Sequence, residues 1–172
     1  MLAAMTLVAL VLGFVAREHQ KERSAAAAVA TIRSAGGRVS FRGGQRGRPA
    51  WLKPLLGDDH HQRVDEVNGV LSPMTDTELA MLVKFPHLRR VKLWETNITD
   101  SGLKHLRTLA ELEVLDLAET SVTDAGLGNL HALSRLKRLD LLKTAVSDAG
   151  IVHLRELHGL EWICLQGTQV TE

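Results

Sequence analysis

From residue 87 onward the chain repeats itself every 24 residues without a slip. HLRRVKLWETNITDSGLKHLRTL is followed by ELEVLDLAETSVTDAGLGNLHAL and then by RLKRLDLLKTAVSDAGIVHLREL, and a shorter copy, GLEWICLQGTQVTE, closes the sequence. Leu88, Leu112, Leu136 and Leu160 form one column, and Leu93, Leu117, Leu141 and Leu165 another. A fixed period of this size means one supersecondary unit that cannot bury its own apolar face and is stacked on copies of itself. An aliphatic core follows directly, because aromatic residues make up only 3% of the chain.

Each copy divides into two periodicities. In Leu112–Thr120 the pattern L-x-x-L-x-L-x-x-T alternates, so Leu115 and Leu117 point to one face of a short strand. After Val122 the spacing becomes three (Leu127, Leu130, Leu133), which is helical, as an α-turn or a tighter one. The expected fold class is therefore α/β: a solenoid of strand–turn–helix units whose strands stack into a parallel sheet with the helices on its other side. Thr96, Thr120, Thr144 and Thr168 leave each strand with a hydroxyl suited to satisfying backbone groups. Thr99/Asp100, Thr123/Asp124 and Ser147/Asp148 precede the helices as N-caps, with an acid at the positive helix end. Gly102, Gly126 and Gly150 read as close-packing positions and form no phosphate-binding spacing.

The motif V-x-L-x-x-T-x-[IV]-[TS]-D-x-G-[LI]-x-x-L resembles leucine-rich repeats of the T-D-x-G-L variety. That variety is similar to the cysteine-containing repeats of F-box substrate receptors and is also widespread in bacterial proteins. The resemblance covers residues 64–172. No F-box accompanies it, so no ubiquitin-ligase role is implied. In front of the repeats, I-R-S-x-G-G-R-V-x-F (32–41), P-A-W-L (49–52) and L-L-G-D-D (55–59) resemble small bacterial membrane-anchored leucine-rich-repeat proteins. The family resemblance implies a ligand-binding scaffold whose ligand lies on the concave sheet or its rims.

Residues 1–16, MLAAMTLVALVLGFVA, carry no charge. A helix of that length rises about 24 Å against a hydrocarbon core of about 30 Å. An uncleaved membrane anchor, lengthened by snorkelling of Arg17 and Lys21, is the expected reading. A cleaved signal peptide and a buried soluble helix are the alternatives. The former lacks a basic start and a small residue at Phe14; the latter would need a large core to cover it. Residues 17–63 carry ten Lys/Arg against four Asp/Glu, whereas 64–172 carry eleven against sixteen. The basic segment fits either a juxtamembrane stretch attracted to anionic lipid or a solvated linker. The positive-inside rule puts the Arg17–Arg33 side in the cytoplasm, and a basic stretch upstream would reverse this.

The expected organisation is an anchor at 1–16, a helical juxtamembrane segment at 17–37, an N-terminal cap at 38–63 and repeats over 64–172. In the helical segment, Ala26, Val29, Ala30 and Ile32 fall roughly on one face before Gly36-Gly37 ends it. Arg38–Arg42 alternates as a strand, and Trp51, Leu52, Leu55 and Leu56 are the apolar set expected to cap the first repeat. The repeats divide as 64–87, 88–111, 112–135, 136–159 and a partial 160–172. The first is degenerate, with Ser72 in the threonine column and Gly69 and Pro73 disturbing its strand.

Alternation places four columns on the concave face. They are Glu66, Arg90, Val114, Arg138, Trp162; Asn68, Lys92, Asp116, Asp140, Cys164; Val70, Trp94, Ala118, Leu142, Gln166; and Leu71, Glu95, Glu119, Lys143, Gly167. Arg90, Lys92, Trp94, Asp116, Arg138, Asp140, Leu142 and Trp162 are the candidate binding residues. Trp and Arg are favoured interface anchors, and Trp94, Leu142 and Trp162 are expected to be exposed there. The competing reading is that these side chains merely cover a short sheet. Asp116 and Asp140 fall on adjacent strands, about 5 Å apart; they read as a solvated ladder paired with Lys92 and Lys143 rather than as a catalytic or metal-binding pair. Asp58-Asp59-His60-His61 reads as a polar cap segment, because adjacent residues rarely converge on one ion. The lone Cys164 lacks a fixed histidine partner and offers neither a disulfide nor a thiolate cluster. No catalytic residue, metal or cofactor is therefore expected, and no small-molecule substrate. The acidic repeats disfavour nucleic acid. The expected partner is a protein or peptide, with the membrane engaged through residues 1–16.

Overall fold

The computed structural model describes residues 2–42 and 64–171, with the α1 side chains from Leu10 onward except Val11. Trp51, Leu52, Leu55, Leu56 and the Asp58–His61 run lie outside the described residues. Helix α1 spans Leu2–Ser34 and strand β1 Arg38–Phe41. The repeats then supply β2 (Val64–Asn68), β3 (Arg90–Lys92), β4 (Val114–Asp116), β5 (Arg138–Asp140) and β6 (Trp162–Cys164). These form one sheet in sequence order. Strands β2 to β6 are parallel, and β1 pairs antiparallel with β2.

The register follows the sequence period residue for residue. Glu66, Arg90, Val114, Arg138 and Trp162 stand side by side across the sheet, as do Asn68, Lys92, Asp116, Asp140 and Cys164. A slip of one residue would turn every strand leucine to solvent, so the apolar alternation and the pairing enforce each other.

The convex side is built from short α-helical turns: α2 (Asp76–Met81), α3 (Asp100–Leu103), α4 (Asp124–Leu127) and α5 (Asp148–Ile151). Each is followed by a 3₁₀ turn, at Leu82–Lys84, Lys104–Thr108, Leu130–Ala132 and Val152–Glu156, directly except after α4, where Gly128 and Asn129 intervene. The three-residue spacing of the leucines suits the 3₁₀ turn, whose side chains at i and i+3 lie on one face. The threonine hydroxyls donate back to the strand carbonyls, Thr96 to Leu93 at 2.6 Å, Thr120 to Leu117 at 2.6 Å and Thr144 to Leu141 at 2.7 Å.

The core is one aliphatic column. Leu88, Leu93, Leu112, Leu115, Leu117, Leu136, Leu139 and Leu141 are completely buried. Its first layer is covered by the C-terminal part of α1, through Ala25, Ala28, Val29 and Ile32. The face differs from the one expected by turning about a quarter: Ala26 is half-buried and Ala30 exposed. Four small or β-branched residues let the helix pack against α2 and the Leu82–Lys84 turn at the end of the stack. The last layer is less complete, and Leu160, Ile163, Leu165 and Val170 remain partly exposed. Helix α1 runs through position 16 without a break. Among the described residues, no helix is long and apolar enough to cross a membrane.

Each strand leaves the sheet through a residue in the left-handed region: Leu71 (φ 58°), Glu95 (54°), Glu119 (53°), Lys143 (52°) and Gly167 (72°). For L-residues this conformation costs about 1–2 kcal/mol. It is held by the neighbouring repeat, because the same residues donate their N–H onward, Leu71 to Trp94 O, Glu95 to Ala118 O, Glu119 to Leu142 O and Lys143 to Gln166 O, at 2.8–3.0 Å.

Candidate binding face

The concave face begins with a charged cluster that is satisfied within itself. The Arg90 guanidinium donates to Glu66 at 2.8 Å and also contacts Asp65. Lys92 Nζ lies 3.0 Å from Glu66. Burial alone would raise the Glu66 carboxyl; the hydrogen bonds and charges of Arg90 and Lys92 outweigh it and hold the group below the usual carboxylate range. Asp65 and Glu66 thus draw Arg90 and Lys92 toward the first repeat. Lys92 and Lys143 do not pair with the aspartate ladder as expected. Lys143 instead reaches Glu119, 2.9 Å away in its own column.

The aspartates in the second column have a structural use. Asp116 Oδ1 accepts from the N–H of Ala118 at 3.1 Å, and Asp140 Oδ1 from that of Leu142 at 3.0 Å. Asn68 does the same for Val70 at 3.1 Å. Each is an Asx turn that helps the chain leave its strand. The cost falls on Asp116. Burial pushes its carboxyl above the ordinary range, the hydrogen bond from Ala118 opposes this, the charge of Asp140 adds to it and that of Lys92 opposes it. The ladder is therefore half-buried rather than freely solvated.

The third column also differs from expectation. Trp94 and Leu142 are half-buried, and Ala118 between them retains 3% of its exposure. Ala118 stands between the two large residues in this column, and both Trp94 and Leu142 have lost part of their apolar surface to burial. Trp162 remains 41% exposed. Arg138 Cζ lies 4.8 Å from the centroid of its ring, a cation–π contact. Lys92, Val114, Asp116, Arg138, Asp140 and Trp162 surround a concave hollow of about 160 Å³ floored by Leu115. Five of the eight candidate residues meet there. Arg90 is tied to the first repeat, and Trp94 and Leu142 belong to the neighbouring column. Chemically the hollow offers two carboxylates, two cations and an aromatic edge. Among the described residues no group of three His, Cys, Asp or Glu converges on a metal-sized site.

On the convex side, a set of aspartates joins the repeats in a way that spacing alone did not reveal. Asp100 Oδ1 accepts from the backbone N–H of Thr123 at 2.8 Å, and Oδ2 from its hydroxyl at 2.7 Å. Asp124 does this for Ser147 at 2.7 and 2.6 Å. Asp76 serves Thr99 and Asp148 serves Thr171 in the same manner. The Ser147 hydroxyl and N–H hold the Asp124 carboxyl below its ordinary range. The recurring S/T-D pair was the signal; the partner, 23 residues onward, appears once the coil is closed.

This architecture, a parallel sheet inside and tight helical turns outside on a 24-residue period, is that of a leucine-rich-repeat protein. The solved structures similar to it include two internalins of Listeria monocytogenes. Internalin F superposes with a TM-score of 0.58 at 19% identity, over 66% of this chain and 32% of its own. Internalin C2 superposes at 0.56 and 25% identity, over 66% of this chain and 46% of its own. The chain thus spans less than half the length of either. No family model and no curated sequence matches it.

Proposed function

We propose that the chain is a non-catalytic module that binds a protein or peptide on its concave face and is tethered to a membrane through residues 1–16. The observation that carries this reading is the hollow between β3 and β6, where Lys92, Asp116, Arg138, Asp140 and Trp162 converge. A partly exposed tryptophan held by a stacked arginine is a preorganised anchor, and ordering it on binding costs little rotamer entropy. Repeat by repeat, the invariant letters are occupied by stacking and joints, which leaves the changing concave letters for recognition. The tether is supported by the uncharged run and by its continuity with the helix that caps the solenoid.

The decisive experiment is capture from native membranes with wild type and R138A/W162A, both verified as folded by circular dichroism. The double variant is expected to lose specific partners; identical capture profiles would remove this face as the site. Retention of the chain after a carbonate wash tests the tether, and complete release contradicts it. A second reading rests on the partly exposed Leu160, Ile163, Leu165 and Val170, on which a second copy would stack. Concentration-dependent association that stops in I163S would favour it.

A further inference from the structure

A larger hollow, of about 570 Å³, lies between α1 and the first repeat. Arg17, Gln20, Lys21 and Ser24 line one wall, spaced so that they share a helix face. Val83, Lys84 and Pro86 form the other wall, and Ala25 lies at the base. Docking of α1 on the solenoid brings Lys84 to two cations more than sixty residues away in sequence.

The charge in this groove is incompletely compensated. Lys21 Nζ lies 2.8 Å from Glu18. Neither Arg17 nor Lys84 has a carboxylate partner among the described residues, and both are exposed. Gln20 and Ser24 add an amide and a hydroxyl. Val83, 44% exposed, adds apolar surface to the opposite wall. Cations, neutral donors and an apolar wall are what a phosphate group attached to an acyl chain requires.

The position fits the same ligand. The uncharged run ends at Ala16, and Arg17 follows it in the same unbroken helix. From Arg17 to Ser24 the helix rises about 10 Å. A headgroup layer extends roughly 5–7 Å beyond the hydrocarbon on each side of a bilayer. With residues 1–16 in the hydrocarbon, the groove mouth stands at headgroup depth.

We propose that this groove binds the phosphate headgroup of an anionic phospholipid, with Arg17 and Lys84 as its principal ligands. The lipid source rests on the tether reading; the phosphate chemistry does not. The test uses the full chain in phosphatidylcholine vesicles containing phosphatidylglycerol, with photoreactive versions of the two lipids supplied separately. Phosphatidylglycerol should label the 17–25 and 83–86 segments over phosphatidylcholine by roughly tenfold, and R17Q/K84Q should abolish the preference. Both residues are exposed, so the melting temperature of the variant should stay unchanged. Equal labelling by the two lipids, or a preference that survives in R17Q/K84Q, would overturn the proposal. Calorimetry with short-chain phosphatidylglycerol in detergent separates the two readings: Arg17- and Lys84-dependent binding by a chain that carbonate releases would sustain the groove and sink the tether. Inorganic phosphate binding as tightly as that lipid would overturn the lipid assignment.

Discussion

Gly126→Ala is the most informative single substitution, because two physical rules give it opposite signs. Gly126 sits in the helical turn α4, where alanine is favoured by about 1 kcal/mol. The added Cβ, however, would press on the Asp100 carboxylate and stand 3.0 Å from Leu103 Cδ1. Overpacking of this kind costs about 1–3 kcal/mol. Displacing Asp100 also weakens its two bonds to Thr123, and bonds to a charged group are worth about 1.5–3 kcal/mol each when buried. Because the joint is only half-buried, a net loss of about 2–3 kcal/mol is expected. That corresponds to a fall in melting temperature of roughly 5–10 °C. Urea titration of Gly126→Ala, Asp100→Ala and the double variant isolates the cause. The contacts to the new Cβ come from side chains, and the nearest belongs to Asp100. In the Asp100→Ala background, therefore, Gly126→Ala should become neutral or stabilising. The coupling should reach roughly 3 kcal/mol; effects that add to within about 0.5 kcal/mol would refute the joint as the reason for the glycine.

Asp116→Asn should raise the melting temperature near neutral pH, since the amide oxygen keeps the bond to Ala118 as Asn68 does for Val70. A raised carboxyl stabilises the fold below its unfolded pKa, and this contribution is lost as pH rises through the folded value. The gain of the variant should therefore vanish in acid, and a gain that persists there would contradict the cause. Leu71→Asn replaces a side chain that is 63% exposed at φ 58° with one that tolerates the left-handed region. A stabilisation of about 0.5–1 kcal/mol by thermal melting is expected, and a loss would show that Leu71 packs more than its exposure implies.

Much of the architecture was legible because repetition averages out ambiguity. One strand of three residues is invisible to propensity, but Val91, Leu115, Leu139 and Ile163 recurring at one spacing place all four strands and their register. What stayed hidden involved distances that a period does not encode. Spacing assigns Asp100, Asp124 and Asp148 to the start of their own helix, where Thr99, Thr123 and Ser147 are the N-caps, whereas the carboxylates serve the next repeat. Nothing in Leu71, Glu95, Glu119 or Lys143 signals positive φ, because the ladder imposes it against local preference. On the concave face the register of the first two columns follows the period and Trp162 is exposed, but the half-burial of Trp94 and Leu142 does not follow from spacing. Trp94 and Leu142 are half-buried on either side of Ala118, and Glu66 outcompetes Asp116 for Lys92. The capping face of α1 was similarly obscured, since in an alanine-rich helix several faces look equally apolar.

The aspartate joints have a consequence for how such a chain changes length. Each joint takes its carboxylate from one repeat and its hydroxyl and N–H from the next, and neither half belongs to the concave columns. Any copy can therefore follow any other. A duplication or deletion of 24 residues recreates the same seam without new complementary mutations, while shifting the variable letters of the concave face by one place along the sheet. Coupling between neighbours and the composition of the concave face are thereby inherited independently.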